Sequence, residues 1–210
     1  MMDADAVEIR VLGCLIEKQR TTPDAYPLSL NSLRLACNQA TNRDPVVAYE
    51  EREIKAALDR MSNRGWTRFA SGASSRALKY RHLLDEALQL SGTELSLLGV
   101  LMLRGPQTVG ELKQRSERLH RFESIAEVAE TLDVLSQREL VERLERRAGQ
   151  KEERWVQLLG GVTEDTAEPE FPEPQQRGDD RVAAIEARLE RLEHAFDDLL
   201  ARVDKVPDRE

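Results

Sequence analysis

Apolar residues recur every three or four positions in three stretches of the N-terminal half of the chain, and matching stretches return downstream. EIRVLGCLI over residues 8–16 comes back as ELSLLGVLM over residues 94–102, which places Ile9, Leu12, Leu15 and Ile16 on Leu95, Leu98, Leu101 and Met102, and Gly13 on Gly99. The spacing predicts amphipathic helices. Each opens on a capping box, Asp5 with Glu8 and Ser91 with Glu94, whose side chains can take up the free amides of a first turn. A second match sets Ile54, Leu58, Asp59, Met61, Ser62, Arg64 and Trp66 on Val128, Leu132, Asp133, Leu135, Ser136, Arg138 and Leu140, again at helical spacing. Between these lie shorter helices starting at Ser29 and Thr108, the latter with its own box to Glu111.

A third match pairs Lys79, Tyr80, Leu83 and Leu84 with Arg154, Trp155, Leu158 and Leu159, and these segments read as strands because turn-like SGASS and AGQKE precede them. Each copy therefore reads helix, helix, helix, strand, turn, strand. Three short helices cannot bury their apolar stripes alone, whereas a helix-turn-helix closed by a two-stranded wing can. The expected fold is mainly α with small β wings: two tandem winged-helix domains plus a C-terminal coiled-coil helix. The boundaries are residues 1–88 for the first domain, 89–160 for the second, 161–180 for a flexible acidic linker and 181–206 for the coiled coil.

RTTPDAYPLSLN lengthens the first connection of the first copy where the second has only RGPQT, and its prolines forbid helix. It reads as an inert surface loop or as a partner-binding one. At the other end, Val182, Ile185, Leu189, Leu192, Phe196, Leu199 and Val203 alternate at three and four, a heptad seam. A lone helix of about 25 residues with one wet stripe is marginal in water. Self-association is the expected remedy, with docking on the body or on another protein as the alternative.

Several strings, TTPDAYPLSLNSL, ACNQATNRDPV, KYRH, MLRGPQTVGELKQRS and GQKEERW, resemble the YceH-like family of bacterial proteins through nearly all of residues 6–160. Trp155 stands where that family usually has Tyr. The resemblance implies tandem winged helices, followed in many members by a heptad-bearing helix. It implies no catalytic residues.

Charge changes the picture locally. The net charge of −8 resides in residues 160–210, with 15 acidic and 7 basic residues, so the preceding part is neutral. Fields are screened within about 8 to 10 Å, and an acidic total does not exclude a basic patch on the body. RGWTRFASGASSRALKYRHLL holds Arg64, Arg68, Arg76, Lys79 and Arg81 and no acid. On a wing these cations can lie against phosphates, or they can pair with neighbouring helices. Arg52, Lys55 and Asn63 point outward from the preceding helix beside Glu50, Glu51, Glu53 and Asp59. In NQATNRDPV, Arg43 reads either as a helix-end cap around Pro45 or as part of a polar recognition patch.

The second copy is more acidic on its third helix, with Glu123, Glu127, Glu130 and Asp133, and a phosphate-lined groove disfavours it.

Catalytic machinery is not expected: no GxSxG, Walker loop, GxGxxG or HExxH occurs, and His82, His120 and His194 lie far apart. No cofactor or metal is expected. Cys14 and Cys37 read as buried thiols, and the lack of a long apolar run and of a basic leader points to a cytoplasmic protein with no membrane partner. The function expected is that of a DNA-associated regulator-like protein binding double-stranded DNA as a homo-oligomer. The alternative is a protein–protein interaction adaptor whose winged helices are assembly surfaces.

Overall fold

A computed structural model describes residues 4–70, 78–146 and 152–160. They are mainly helical with two small antiparallel sheets, a winged-helix-like mix. The first half runs α1 (Ala6–Thr21), β1 (Leu28–Ser29), α2 (Leu30–Cys37), α3 (Glu51–Asn63), β2 (Thr67–Ala70) and β3 (Lys79–His82). After a short α4 (Leu84–Leu88) come α5 (Gly92–Arg104), α6 (Val109–Ser116), α7 (Ile125–Gln137), β4 (Val141–Leu144) and β5 (Arg154–Gln157). Three helices followed by two strands thus occur twice, and the expected boundary at residue 88 falls at the end of α4.

The helices start where capping chemistry puts them. The Asp5 carboxylate accepts the Glu8 amide at 2.8 Å while the Glu8 carboxylate accepts the Asp5 amide at 2.9 Å. Ser91 with Glu94 and Thr108 with Glu111 repeat the arrangement at α5 and α6. Ser29 caps α2 through the Ser32 amide.

α1 and α5 are buried on every side over matching stretches, residues 8–17 and 94–103. Helices wrapped all round belong in a core, and here each is covered by the other as well as by its own half. A Cβ added at Gly13 would lie 2.9 Å from Leu103 and 3.0 Å from Met102; one added at Gly99 would lie 2.9 Å from Ile16. Since Ile16 and Met102 occupy equivalent repeat positions, the crossing is reciprocal, the pattern of an isologous contact between two copies. One hydrophobic cluster consequently runs through both halves, from Leu12, Leu15, Ile54 and Leu58 to Leu98, Leu101, Leu132 and Leu135. Cys14 and Cys37 lie buried in it as free thiols.

Two expectations are corrected. The long connection after α1 is structured: a 3-10 turn at Pro23–Ala25 leads into β1, which pairs with β3 as Leu28 opposite Tyr80, and the Tyr26 hydroxyl accepts the His82 amide at 2.9 Å. In the second half a single bridge between Gln107 and Trp155 fills the equivalent place. Secondly, Leu83 and Leu84 are not strand residues. The ladder stops at His82 and Leu84 turns into the core with no exposure, opening α4; Leu158 and Leu159 likewise follow β5, with Leu159 buried.

Candidate nucleic-acid interface

The β2–β3 hairpin carries the basic segment, and the register sorts its side chains. Thr67 pairs with His82, Arg68 with Arg81, Phe69 with Tyr80 and Ala70 with Lys79. Because side chains alternate between faces, Thr67, Tyr80 and His82 turn inward and are buried, while Arg68, Arg81 and Lys79 share the other face. Two like charges opposite each other disfavour the hairpin. Arg81 is relieved by Glu86 at 3.3 Å; Arg68 and Lys79 have no ion-pair partner among the described residues. Phe69 stays 44% exposed, its ring 5.1 Å from that of Tyr80. Arg76 lies outside the described residues.

The remaining candidates on α3 are outward but already matched. Arg52 pairs with Glu50 at 2.9 Å, Lys55 with Asp59 at 2.9 Å, and Asn63 is exposed at the end of the helix. A helix that neutralises its own cations offers little net attraction to a phosphate-lined groove.

Arg43 leaves the contact set, its bond to the Ala36 carbonyl at the end of α2 being of the helix-end capping kind read from NQATNRDPV; Arg64 is engaged by a buried carboxylate while about a third of its side chain stays exposed. The Arg43 side chain is fully buried, donating to both Glu17 carboxylate oxygens at 3.2 and 2.6 Å, to the Ala36 carbonyl at 3.1 Å and to Gln39 at 3.0 Å. Burial alone would raise the Glu17 carboxyl, but the guanidinium of Arg43 and the ammonium of Lys18 beside it hold it below the usual range. Arg64 caps the end of α3 with its guanidinium 3.2 Å from both oxygens of the buried Glu8 carboxylate and 5.2 Å from the Trp66 ring centre. Arg60 reaches the same Glu8 at 3.0 Å and also binds Asp5.

This clamp is a feature that pattern reading missed, and it is repeated: Arg138, at the end of α7, donates to Glu94 at 2.7 Å. Glu8 with Glu94 and Arg64 with Arg138 are equivalent positions in the two repeats. The signal was their joint recurrence, since an acid kept within an apolar helical run asks for a buried partner.

The second half presents a different face. Ile125 and Val134 of α7 are 57% and 46% exposed, and Glu123, Glu130 and Asp133 lie exposed beside them. A cleft of about 630 Å3 runs between α6, α7 and the β4–β5 hairpin, touching Ile125, Ala129, Asp133, Arg143 and Trp155. Arg143 is paired with Glu153 at 3.2 Å. The expected self-association residues Val182, Ile185, Leu189, Leu192, Phe196, Leu199 and Val203 lie outside the described residues. Among the described residues no three potential ligands converge on a metal position, and no helix is long and apolar enough to cross a membrane.

The family model described as "Protein of unknown function, DUF480" matches residues 4–150. The chain is 47% identical over 194 residues to UPF0502 protein GSU0233 of Geobacter sulfurreducens, covering 89% of this chain and 88% of that one. It is 43% identical over 203 residues to a UPF0502 protein of Shewanella amazonensis, with 93% and 97% covered. Identity to UPF0502 protein ECA2523 of Pectobacterium atrosepticum is 42% over 207 residues, with 94% and 98% covered. These descriptions assign no activity. Nearly full-length similarity at this level, added to the strings that resembled YceH-like proteins, means that the chain belongs to the DUF480 family of UPF0502 bacterial proteins.

Proposed function

We propose that the two halves are tandem winged helices joined through α1 and α5, and that the protein is a cytoplasmic, DNA-associated, regulator-like protein contacting duplex DNA through the first wing. One observation carries this reading: Arg68, Lys79 and Arg81 share one face of the β2–β3 hairpin, with Arg68 set directly against Arg81. A polyanion removes that repulsion. With α3 self-neutralised, the contact is to phosphates rather than to base edges, so affinity should depend steeply on salt and weakly on sequence.

Titrating the full chain with random duplex DNA at about 50 and about 200 mM salt tests it, and changing both Arg68 and Lys79 to Ala should flatten the slope of log affinity against log salt by roughly 2. Absence of any salt-dependent binding at the lower salt would sink it. Self-association through the heptad seam belongs to the same proposal; removal of residues 181–210 should reduce the solution mass to that of a single chain.

A second reading is favoured by the exposed Ile125 and Val134 on an acidic α7. There the second half is an assembly surface for protein, and exchanging both residues for Ser would abolish partner capture while leaving DNA binding intact.

A further inference from the structure

A cleft of about 450 Å3 opens where the ends of α1, α5 and α6 come together, so both halves contribute to it. Val100, Leu103 and Leu119 line it with apolar surface, and Arg104, Arg115 and Arg118 bring three guanidiniums to it from two helices and the turn that follows α6. Glu17 and Glu117 are the carboxylates in its lining. Glu17 is committed to Arg43 and to Lys18 at 3.3 Å, and Glu117 is exposed with no ion pair among the described residues. Arg115 is held by Glu111 at 3.0 Å. Arg104 and Arg118 have no acidic partner among the described residues; Arg104 donates only to the Asn42 side chain. Burial, with the nearby Arg115 and Arg43 cations, disfavours the charge on Arg104 and outweighs the opposite pull of Glu17 and Asp44.

Cations at helix C-termini ordinarily complement the helix dipole, and Arg104 and Arg115 do close α5 and α6. That accounts for each position singly but not for their convergence on one cleft. Comparison of the repeats is more telling. Arg104 is equivalent to Lys18, and Leu103 to Glu17, by the register that sets Gly99 on Gly13. In the first half the cation has a carboxylate neighbour at 3.3 Å. In the second half that position holds an apolar side chain, and among the described residues no carboxylate lies at ion-pair distance from Arg104, Glu17 and Asp44 acting on it only from farther away.

We propose that this cleft binds a small amphipathic organic anion, a carboxylate or phosphate monoester whose charge is taken by Arg104 and Arg118 and whose apolar part lies on Val100, Leu103 and Leu119. The lining is mostly polar, with a small apolar patch at Val100, Leu103 and Leu119, and a cleft of this volume between two domain-like halves is a usual place for a small ligand. The assignment stands apart from the proposed DNA contact, which would use a different set of cations, those of the first wing.

Calorimetric titration of the full chain with phenyl phosphate, phenylacetate and inorganic phosphate tests it. The expected result is saturable binding of at least one organic anion with a Kd at or below about 10 mM, and weaker binding of inorganic phosphate, which has no apolar part. Arg104→Gln, and separately the charge reversal Arg118→Glu on the exposed rim, should each weaken binding by about tenfold or more, while Arg68→Gln on the wing leaves it unchanged. Which organic anion binds more tightly distinguishes a phosphate from a carboxylate ligand. No saturable binding of either organic anion, binding that survives both cleft variants, or an equal loss in the wing variant would each overturn the proposal. Circular dichroism of each variant confirms that a loss is not unfolding, and the exposed Arg118 keeps the test open where Arg104→Gln disturbs the fold.

Discussion

The first half and the second half hold the same clamp and the same helix crossing, yet distribute charge in opposite ways. In the first, cations that lack partners are gathered on one face of a hairpin, and the third helix cancels its own charge through Arg52 with Glu50 and Lys55 with Asp59. In the second, the third helix is acidic and bares Ile125 and Val134, while the hairpin cation Arg143 is paired with Glu153. The shared clamp and crossing serve folding, and the exposed charge and apolar surface that the halves distribute differently mark where binding should be sought.

The largest break in this comparison should come from Arg43, which has no counterpart in the second half. Arg43→Ala would leave the buried Glu17 with Lys18 alone at 3.3 Å and should cost about 3 kcal/mol, read as a lower midpoint in urea unfolding. Next comes the reciprocal crossing. Gly13→Val and Gly99→Val each push a side chain into contacts already at 2.9 Å and should each lose about 1 to 3 kcal/mol. A large loss from one and none from the other would show that the crossing is not reciprocal.

The clamps come third: Arg64→Ala and Arg138→Ala should each cost about 1 to 2 kcal/mol, discounted because both guanidiniums are a third exposed. Unequal losses would mean that Arg60, which also reaches Glu8, shares the load in the first half.

A pH effect sharpens the comparison, since only the first half carries a buried histidine on its hairpin. Burial, reinforced by the Arg20 and Arg81 cations and opposed by Asp85, pushes His82 down to about 4, and its Nε2 is 2.8 Å from the Gln19 side-chain oxygen. A depressed base holds its proton more readily when unfolded. Stability should be whole above about pH 6.5 and fall as pH drops toward about 4. His82→Gln should flatten that part of the profile. The smallest effect belongs to the wing: Arg68→Ala should shift stability by no more than about 0.5 kcal/mol, and upward if anything, because it removes a like charge opposite Arg81.

Much of this arrangement was legible in the residues. The boxes at Asp5, Ser91 and Thr108 mark helix starts because capping is local chemistry, and the repeated apolar spacing marks which elements correspond. β1 was not legible: two residues beside Pro27 make no period, and their strand character comes from pairing with Tyr80 and Lys79 far along the chain. Arg43 was open between a helix-end cap and a recognition patch, and Arg64 read as a wing cation, because their partners, Glu17 and Glu8, are distant in sequence and only folding reveals the pairing. Arg68, Lys79 and Arg81 were legible as a basic segment, but their shared face required the register. The heptad seam remains a reading of sequence alone.

The glycine crossing of α1 and α5 has a consequence for dissection. A chain cut between Leu90 and Ser91 would give two fragments, each with a naked greasy helix shaped for the other. Such fragments should recombine on mixing, as complementing halves do, rather than persist as two soluble modules.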